Sequence, residues 1–246
     1  MKIAFIIQAR VTSSRLKGKI LENIGNKKVI DWVIEAIKRR FDLENIILAI
    51  PENKENDIIA RLYGDKLKII RGSEIDVAKR FIKGIDYFDL DYVIRICSDN
   101  PFIQTKFIEE IYDIALSLNP DYISYYCGEI NCIKKPLGFF AEGFSTDKFK
   151  KAYYRMDKYD KEHVTPIFYE KGINFNIIRL KVPRIINETE FIRFTLDNKS
   201  DLLLYKEICK KYPKDYYTYL DLIEIIKSDN IIFEKMKSNY LFGGKM

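Results

Sequence analysis

The chain has 246 residues, of which 47% are hydrophobic and 32% charged, with 11 glycines and 7 prolines spread along it. This composition excludes a disordered chain, a coiled coil, a collagen-like polymer and a disulfide scaffold, and it predicts one globular unit with a substantial core. The formal net charge is +6, but both signs are interspersed along the chain. That pattern argues against a nucleic-acid partner and indicates at most small anionic ligands such as phosphates.

The cysteine and histidine content makes a metal site built from those residues difficult to form. The chain has four cysteines, none of them in a C-x-x-C pair, and a single histidine, His163. Residues Met1–Arg10 lack the pattern of a signal peptide, and no stretch approaches the roughly 20 apolar residues that cross a bilayer. We therefore expect a cytoplasmic protein with free thiols and no membrane partner.

The first half of the chain alternates short apolar runs with amphipathic segments. The predicted strands are Ile3–Gln8, Asn45–Ile50, Leu67–Ile70 and Tyr92–Cys97. The predicted helices are Val29–Arg40, Asp57–Gly64, Ile75–Tyr87 and Thr105–Leu118. Apolar strands separated by helices are typical of an α/β protein with a doubly wound, mostly parallel sheet. Such sheets bind ligands at the carboxyl ends of their strands, so the loops after Gln8, Ile70 and Cys97 are the places to expect a site.

In the second half of the chain, the predicted strands and helices no longer alternate regularly. The predicted strands are Tyr122–Tyr125, Gly138–Phe144, Phe175–Leu180 and Phe191–Thr195. Helices are predicted near Lys148–Met156, Lys161–Lys171, Leu202–Lys211 and Tyr219–Lys227. No Gly/Ser-rich or Pro-rich linker divides the two halves. We therefore predict a single domain over residues 1–246, with a smaller β-rich and helical lobe inserted at approximately residues 126–190.

The loop after the first predicted strand combines cations with small residues. Between Gln8 and Lys19 it holds Ala9, Arg10, Ser13, Ser14 and Arg15. Small residues let backbone N–H groups approach phosphate oxygens, and guanidinium groups bind phosphate bidentately. The loop matches neither the P-loop nor the G-x-G-x-x-G pattern. A solvated basic turn would have the same composition, but the position after the first strand of a parallel sheet favours a triphosphate cradle.

Five motifs, in order along the chain, resemble those of a known enzyme family. They are Ala9-Arg10-x-x-Ser13-x-Arg15-Leu16-x-Gly18-Lys19, Arg71-Gly72-Ser73-Glu74-x-Asp76-Val77-x-x-Arg80, Arg95-x-x-Ser98-Asp99-Asn100-Pro101, Glu162-His163-Val164-Thr165-Pro166 and Arg193-Phe194-Thr195-Leu196-Asp197-x-x-x-Asp201-Leu202. Together they are similar to the signatures of sugar-activating cytidylyltransferases, which include the CMP-sialic acid and CMP-Kdo synthetases. The resemblance is greatest to the spore-coat polysaccharide branch of that family.

The resemblance implies a fold, an activity and partners. The fold would be the Rossmann-like fold of nucleotide-diphospho-sugar transferases, and the inserted lobe would bind the acceptor and pair two subunits into a homodimer. The activity would be a Mg²⁺-dependent transfer of CMP from CTP to a sugar acid of the 2-keto-3-deoxy type, or to a related acceptor. Pyrophosphate would be released, and the product would serve surface polysaccharide or glycan biosynthesis.

The resemblance also assigns roles to particular residues. The expected nucleotide-binding residues are Gln8, Ala9, Arg10, Ser13, Ser14, Arg15, Lys19, Arg71, Ser73 and Ser98. The expected catalytic residues are Arg15, Lys19 and Asp99. Mg²⁺ would bind Asp99 and Asp197, because this ion prefers hard oxygen ligands. Glu142 and His163 are the expected contacts to the acceptor. For the aspartates the structural alternative is a helix cap, and Ser73 with Asp76 also forms a capping-box pattern.

Departures from the family pattern leave the acceptor open, and the sequence does not reveal which residues recognise the base. Lys17 stands where the family usually has proline, and the segment 135–142 lacks the Asp-Gly of the spore-coat branch. One alternative is a sugar-1-phosphate nucleotidylyltransferase that uses another base. A second is a glycosyltransferase, although these enzymes usually carry Asp-x-Asp, whereas Asn100 and Pro101 follow Asp99 here. A third is a nucleotide-binding module without catalytic activity.

Overall fold

The computed structural model describes residues 1–243, in which ten strands and eleven helices follow one another. The strands are β1 (Ile3–Gln8), β2 (Asn23–Ile24), β3 (Lys27–Lys28), β4 (Ile46–Pro51), β5 (Lys68–Gly72), β6 (Tyr92–Cys97), β7 (Tyr122–Cys127), β8 (Ile130–Asn131), β9 (Glu142–Ser145) and β10 (Ile177–Lys181). The helices are α1 (Val29–Lys38), α2 (Asp57–Tyr63), α3 (Val77–Phe88), α4 (Thr105–Leu118), α5 (Thr146–Tyr153), α6 (Lys158–His163), α7 (Pro166–Tyr169), α8 (Arg184–Glu188), α9 (Lys199–Lys211), α10 (Tyr219–Ser228) and α11 (Asn230–Phe242).

Eight of the strands form one mixed sheet around β1. This strand pairs in parallel with β6 on one side and with β4 on the other, and β5 continues beyond β4 in the same direction. Beyond β6 the order is β9, β7 and β10, where β9 is antiparallel to both neighbours and β10 is parallel to β7. The short strand β8 pairs with β7. The predicted α/β class with a mostly parallel sheet is confirmed.

Helices cover both faces of the sheet because its central strands are apolar on both sides. In β1, Phe5 and Ile7 belong to one buried cluster together with the apolar sides of α1 and α4. Ala4 and Ile6 belong to a second cluster with α3 and α5. Since successive side chains of a strand point to opposite faces, the two clusters lie on the two sides of the sheet. Within residues 1–243, no helix combines the length and the apolar character needed to span a membrane.

The region 126–190 contributes strands to this shared sheet. β9 lies between β6 and β7, and β10 forms one edge of the sheet. The residues of β9 are all buried and pair with both neighbouring strands, so β9 is an integral part of the sheet. The remainder of the region consists mainly of the helices α5 to α8. Its part in dimerisation stays a prediction.

The predicted strand Phe191–Thr195 is wrong. Phe191 has a left-handed φ of 57°, and the backbone N–H groups of residues 194 and 195 both donate to Pro136 O, at 2.8 and 3.2 Å. These two hydrogen bonds to a loop stand in place of the regular hydrogen bonds that a strand would form with a neighbouring strand. The apolar character of the segment therefore reflects burial against a loop, which a sequence pattern cannot distinguish from burial within a sheet.

Other differences concern helices that are short or that lack an apolar face. The predicted helix Lys161–Lys171 is divided into α6 and α7 at Val164, which has a φ of 74°, and at Pro166, which begins α7. Proline has no N–H with which to continue a preceding helix. Helix α11 has no predicted counterpart because its apolar side chains do not form a stripe on one face. The elements β2, β3, β8 and α8 are too short to produce a periodic pattern.

Gly138 lies where the loop before β9 touches residues 194 and 195. Its φ is 71°, and a Cβ atom at this position would lie 2.4 Å from the carbonyl carbon and oxygen of Phe194. We expect Gly138→Ala to lower the free energy of unfolding by about 3 kcal/mol, because it combines left-handed strain with backbone overlap. Urea denaturation measures this change.

Gly172→Ala is the matched control for that variant. Gly172 also has a positive φ, 64°, but a Cβ atom added there would have no atom of the described residues within 4 Å, so only the conformational cost applies. That cost is about 1 kcal/mol. Equal losses in the two variants would contradict a close contact at Gly138.

Candidate functional site

A cavity of about 470 Å³ opens at the carboxyl ends of β1 and β6. This is the edge at which parallel sheets bind ligands, and the volume is that of a small-molecule site. The predicted site residues that line it are Gln8, Ala9, Arg10, Ser13, Ser14, Arg15, Lys19, Ser98, Asp99 and His163. Four others do not line it, namely Arg71, Ser73, Glu142 and Asp197.

The loop after β1 is shaped by backbone hydrogen bonds. Val11 N donates to Oδ1 of the fully buried Asn56 at 2.9 Å, and Gly18 N donates to Val11 O at 2.8 Å. Gly18 has a φ of 71°, which reverses the chain so that Lys19 begins a short 3-10 turn. The loop therefore returns to the cavity wall, where the Lys19 side chain is 8% exposed.

Lys19 joins this loop to two later segments of the chain. Its Nζ donates to Asp99 Oδ2 at 2.7 Å and to Leu196 O at 2.5 Å. Leu196 N donates in turn to Asp99 O at 2.8 Å. The same ammonium lies 3.8 Å from Asp197 Oδ1. One cation thus holds both candidate metal ligands beside the predicted phosphate loop.

Asp197 is completely buried and contacts two guanidinium groups. Its Oδ1 accepts a hydrogen bond from Arg15 Nη2 at 2.7 Å, and its Oδ2 lies 3.3 Å from Arg193 Nη2. Arg193 also donates to both carboxylate oxygens of Asp201, at 2.8 and 3.0 Å. Burial lowers the pKa of Arg193, but its hydrogen bond and attraction to Asp201 and Asp197 outweigh burial, so the pKa lies above its ordinary value. The cluster therefore compensates the charges that it buries.

Asp99 is a carboxylate that could hold Mg²⁺ at the cavity, whereas Asp197 is fully buried against Arg15 and Arg193. Asp99 lines the cavity with 23% of its side chain exposed, and Asp197 approaches the same ammonium group from the later segment. Mg²⁺ is commonly held by one or two carboxylates together with phosphates and water. Among the described residues, no group of three or more His, Cys, Asp or Glu side chains could hold a metal ion. Most ligands of a Mg²⁺ ion would therefore come from the substrate and from water.

Arg71 and Ser73 have structural partners outside the cavity. Arg71 Nη2 donates to Asp57 Oδ1 at 2.5 Å and to Asn53 O at 3.2 Å. Ser73 Oγ accepts a hydrogen bond from Asp76 N at 3.0 Å, as expected for a residue that helps to begin α3. The geometry thus favours the structural alternative for Ser73, and it gives no support to a nucleotide contact by either residue.

Glu142 is fully buried and its partners are other buried side chains. The expected direct contact of Glu142 with the acceptor is therefore not what its position indicates. It forms an ion pair with Arg95 and accepts hydrogen bonds from the hydroxyls of Tyr122 and Thr165, the latter at 2.9 Å. Arg95 Nε donates to Gln8 Oε1 at 3.0 Å, and both of these residues line the cavity. Glu142 therefore acts on the cavity through Arg95 and does not face it.

Arg80 and Arg95 line the cavity although the motifs alone assign neither a role. Arg80 is 2% exposed and its Nη1 donates to Ser73 O at 2.7 Å, while its Nε has no hydrogen-bond partner within residues 1–243. Burial lowers the pKa of Arg80 to about 10, and the nearby charge of Arg10 acts in the same direction. The feature of the sequence that could have identified Arg80 is a cationic residue on the apolar face of α3, next to Phe81.

His163 lines the cavity together with residues of α6 and of the loop before β9. Its ring is 4.4 Å from that of Tyr159, and both residues are exposed. Lys134 and Lys135 line the same cavity. Lys134 Nζ donates to Glu170 Oε1 at 2.8 Å. This wall combines imidazole, ammonium and aromatic groups.

The fold and the site together define the class of protein. A mostly parallel sheet with a basic loop after its first strand, and an aspartate after another central strand, suits the binding of a phosphorylated ligand at that edge. Residues 4–237 match the family model described as cytidylyltransferase, and the chain belongs to that family. It is accordingly a nucleotidyltransferase, as the sequence motifs predicted.

Two relatives and one solved structure illustrate the similarity. The uncharacterized protein MJ1063 of Methanocaldococcus jannaschii is 36% identical over 214 residues, which cover 86% of this chain and 85% of the relative. The spore coat polysaccharide biosynthesis protein SpsF of Bacillus subtilis is 29% identical over 220 residues, covering 86% and 87%. A cytidylyltransferase structure from Leptospira borgpetersenii has a TM-score of 0.82 at 24% identity, covering 94% and 96%, and shares the fold.

The buried position of Glu142 predicts a loss of stability when its charge is removed. We expect Glu142→Gln to lower the free energy of unfolding by about 3 kcal/mol, because it leaves the buried guanidinium of Arg95 without a carboxylate. Urea denaturation followed by circular dichroism measures the loss.

Glu162→Gln provides the comparison, because Glu162 lines the same cavity but is exposed. This variant is expected to change the free energy of unfolding by no more than about 0.5 kcal/mol. A Glu142→Gln protein as stable as Glu162→Gln would restore Glu142 as a candidate for direct contact with a substrate.

Proposed function

We propose that this enzyme transfers CMP from CTP to a sugar acid of the 2-keto-3-deoxy type, or to a related acceptor, with Mg²⁺ and with release of pyrophosphate. The observation that carries the proposal is the meeting of Arg10, Arg15 and Lys19 with Asp99 in one cavity at the carboxyl ends of β1 and β6. Nucleotidyl transfer needs cations for the triphosphate and a carboxylate for the metal ion, and little other chemistry from the protein.

The triphosphate is expected to bind the loop after β1. Arg10 and Arg15 are exposed at the cavity and present planar guanidinium groups that match phosphate oxygens. Lys19 can exchange a carboxylate partner for a phosphate oxygen while keeping its charge. The backbone N–H groups of Ser13 and Ser14 add donors that carry no charge.

Asp99 is expected to hold Mg²⁺, with Asp197 as the second carboxylate. When bound, the ion would offset negative charge on the α-phosphate and on the leaving pyrophosphate. Arg15 and Arg193 compensate the buried charge of Asp197, with Oδ1 at 2.7 Å from one and Oδ2 at 3.3 Å from the other. These contacts fix the carboxylate in one orientation beside the cavity.

The acceptor is expected against the wall that carries Lys134, Lys135 and His163. Ammonium and imidazole groups suit the carboxylate of a sugar acid. In the reaction, the acceptor hydroxyl oxygen bonds to the α-phosphorus while the bond to pyrophosphate breaks. We assign the removal of the hydroxyl proton to Asp99 or to water bound beside it, because Asp99 is a carboxylate in the same cavity.

A role in surface polysaccharide or glycan biosynthesis is part of the proposal. It is supported by the similarity to a spore coat polysaccharide biosynthesis protein over most of both chains.

We also propose a homodimer that uses the region 126–190. Tyr154, which lies in this region, is 89% exposed, and an aromatic side chain left so open suits a contact with a second subunit.

The base preference is tested by calorimetry of CTP, UTP, GTP and ATP with the purified chain in the presence of Mg²⁺. We expect CTP to bind about tenfold or more tightly than the other three, a difference of about 1.4 kcal/mol. Arg15→Ala should weaken CTP binding because it removes a phosphate contact. Equal binding of all four nucleotides would contradict the cytidine preference, and tight binding of a nucleoside-diphosphate sugar would favour a glycosyltransferase.

The role of Asp99 is tested by Asp99→Asn, with pyrophosphate release measured in the presence of CTP, Mg²⁺ and a panel of sugar acids. We expect a loss of about a hundredfold or more in rate, because the change removes a charged ligand at the reacting phosphates. The free energy of unfolding should change by no more than about 1 kcal/mol.

Asp86→Asn serves as the control for charge removal, since the Asp86 side chain is 57% exposed and pairs with Lys150 on the surface. Its rate should match that of the unmodified enzyme. If Asp99→Asn lost stability and activity in parallel, Asp99 would be a structural residue, and its assignment to the metal would fail.

A further inference from the structure

Two cysteines that the proposed reaction does not use lie side by side next to the cavity. The sulfur atoms of Cys127 and Cys132 are 3.2 Å apart. Cys127 ends β7, and Cys132 directly follows β8, so the antiparallel pairing of these two strands brings the thiols together. The juxtaposition is a consequence of the hairpin, because the two residues stand only five positions apart in the chain.

This dithiol lies between two cavities. Cys132 lines the large cavity described above, and Cys127 lines a neighbouring cleft of about 240 Å³. Lys135 and Pro136 line both cavities. Both sulfur-bearing residues are largely buried, at 9% exposure for Cys127 and 2% for Cys132. The two cysteine residues are therefore part of the walls that a small solute would touch in either cavity.

The two thiols are chemically unequal. The hydrogen bond from Cys132 lowers the pKa of Cys127 to about 7, against the opposing effect of burial. The same hydrogen bond, together with burial, raises the pKa of Cys132 well above its ordinary value. Cys127 is also the more exposed of the two residues, at 9% against 2%. Since the thiolate is the nucleophilic form of cysteine, the more exposed Cys127 is the residue that attacks and the more deeply buried Cys132 the residue that resolves.

We propose that Cys127 and Cys132 form a peroxide-sensitive modification site, which closes an intramolecular disulfide beside the cavity. The Cys127 thiolate attacks one oxygen of hydrogen peroxide, the O–O bond breaks, and the leaving hydroxide takes up a proton to become water. The sulfenic acid formed on Cys127 is then attacked by the sulfur of Cys132, which loses its proton as the second water departs. The two thiols are oxidised, and the one peroxide molecule is reduced to two waters.

The geometry requires little movement for this step. A disulfide has its sulfurs about 2.05 Å apart, so the pair must approach by about 1 Å. Asn131, which lies between them in the hairpin, is held by its side chain: Nδ2 donates to Tyr122 Oη at 2.8 Å, and Oδ1 accepts from Ser124 Oγ at 3.0 Å. The hairpin is thus anchored to the sheet, and the adjustment falls on the turn that begins at Cys132 and leads to Lys134 and Lys135.

The test uses the full chain, reduced first and then treated with hydrogen peroxide. Remaining thiols are blocked with a maleimide under denaturing conditions, and the protein is digested with trypsin for mass spectrometry. No Lys or Arg lies between Cys127 and Cys132, so a single peptide contains both residues. We expect two of the four thiols to be lost. The peptide should carry no maleimide and be lighter by two hydrogens than the same peptide in its reduced, unblocked form, and dithiothreitol should reverse the change.

Variants separate the two roles and supply the control. Cys132→Ser should leave a sulfenic acid on Cys127 that dimedone traps, whereas Cys127→Ser should prevent both products. Cys209→Ser is the matched control, because Cys209 is buried as well, and burial raises the pKa of its thiol to about 11. This control should form the disulfide at the same rate as the unmodified chain.

Two results would overturn the inference. One is retention of all four thiols under peroxide, and the other is oxidation of Cys209 at a rate within about tenfold of the rate for Cys127, which would indicate non-selective damage. Circular dichroism verifies that each variant is folded, and Cys132→Ala replaces the serine variant if the added hydroxyl is not tolerated. Neither outcome depends on the identity of the nucleotide or the acceptor.

Discussion

The charge cluster around Lys19 is the constraint on which the arrangement of the site depends. Its ammonium reaches a carboxylate after β6 and a carbonyl in the irregular segment that precedes α9, so three distant stretches of chain meet at one atom. A buried cluster of this kind contributes little net stability, since desolvation of the charges offsets their attraction. Removal of a fully buried member such as Asp197 is costly, whereas Asp99 is partly exposed and its loss is better tolerated. The cluster therefore specifies geometry more than it stabilises the fold. It orders a segment that has no secondary structure of its own.

A second buried ion pair performs a comparable task inside the sheet. Arg95 of β6 and Glu142 of β9 stand directly opposite each other in the antiparallel register. A slip of β9 by one residue would turn Glu142 to the other face of the sheet and leave both buried charges without their partner. The pair therefore fixes the register of β9 against β6, and through Gln8 it also positions the end of β1 at the cavity.

The sequence predicts the elements whose signal is local, and it fails where the signal depends on distant contacts. The predicted bounds of β1, β6 and α4 equal the observed ones because apolar runs and turn residues delimit these elements. The loop of Arg15 and Lys19 is recognisable because it follows the first strand. Glu142 is misplaced at the acceptor because residue type alone does not reveal burial. Arg71 is assigned to the nucleotide because its ion pair with Asp57 cannot be foreseen.

The insertion of β9 between β6 and β7 has a consequence for how the chain folds. β6 and β7 are consecutive strands along the chain, yet in the sheet they are joined only through residues 142–145. β7 and β10 therefore cannot attach to the growing sheet until β9 has been synthesised and has docked against β6. On a ribosome, the four strands β1, β4, β5 and β6 can assemble first, while β7 pairs only with the short β8 until β9 is available. Such non-local pairing slows folding. Until β9 docks, the free part of the β7 edge is open to pairing with a wrong strand.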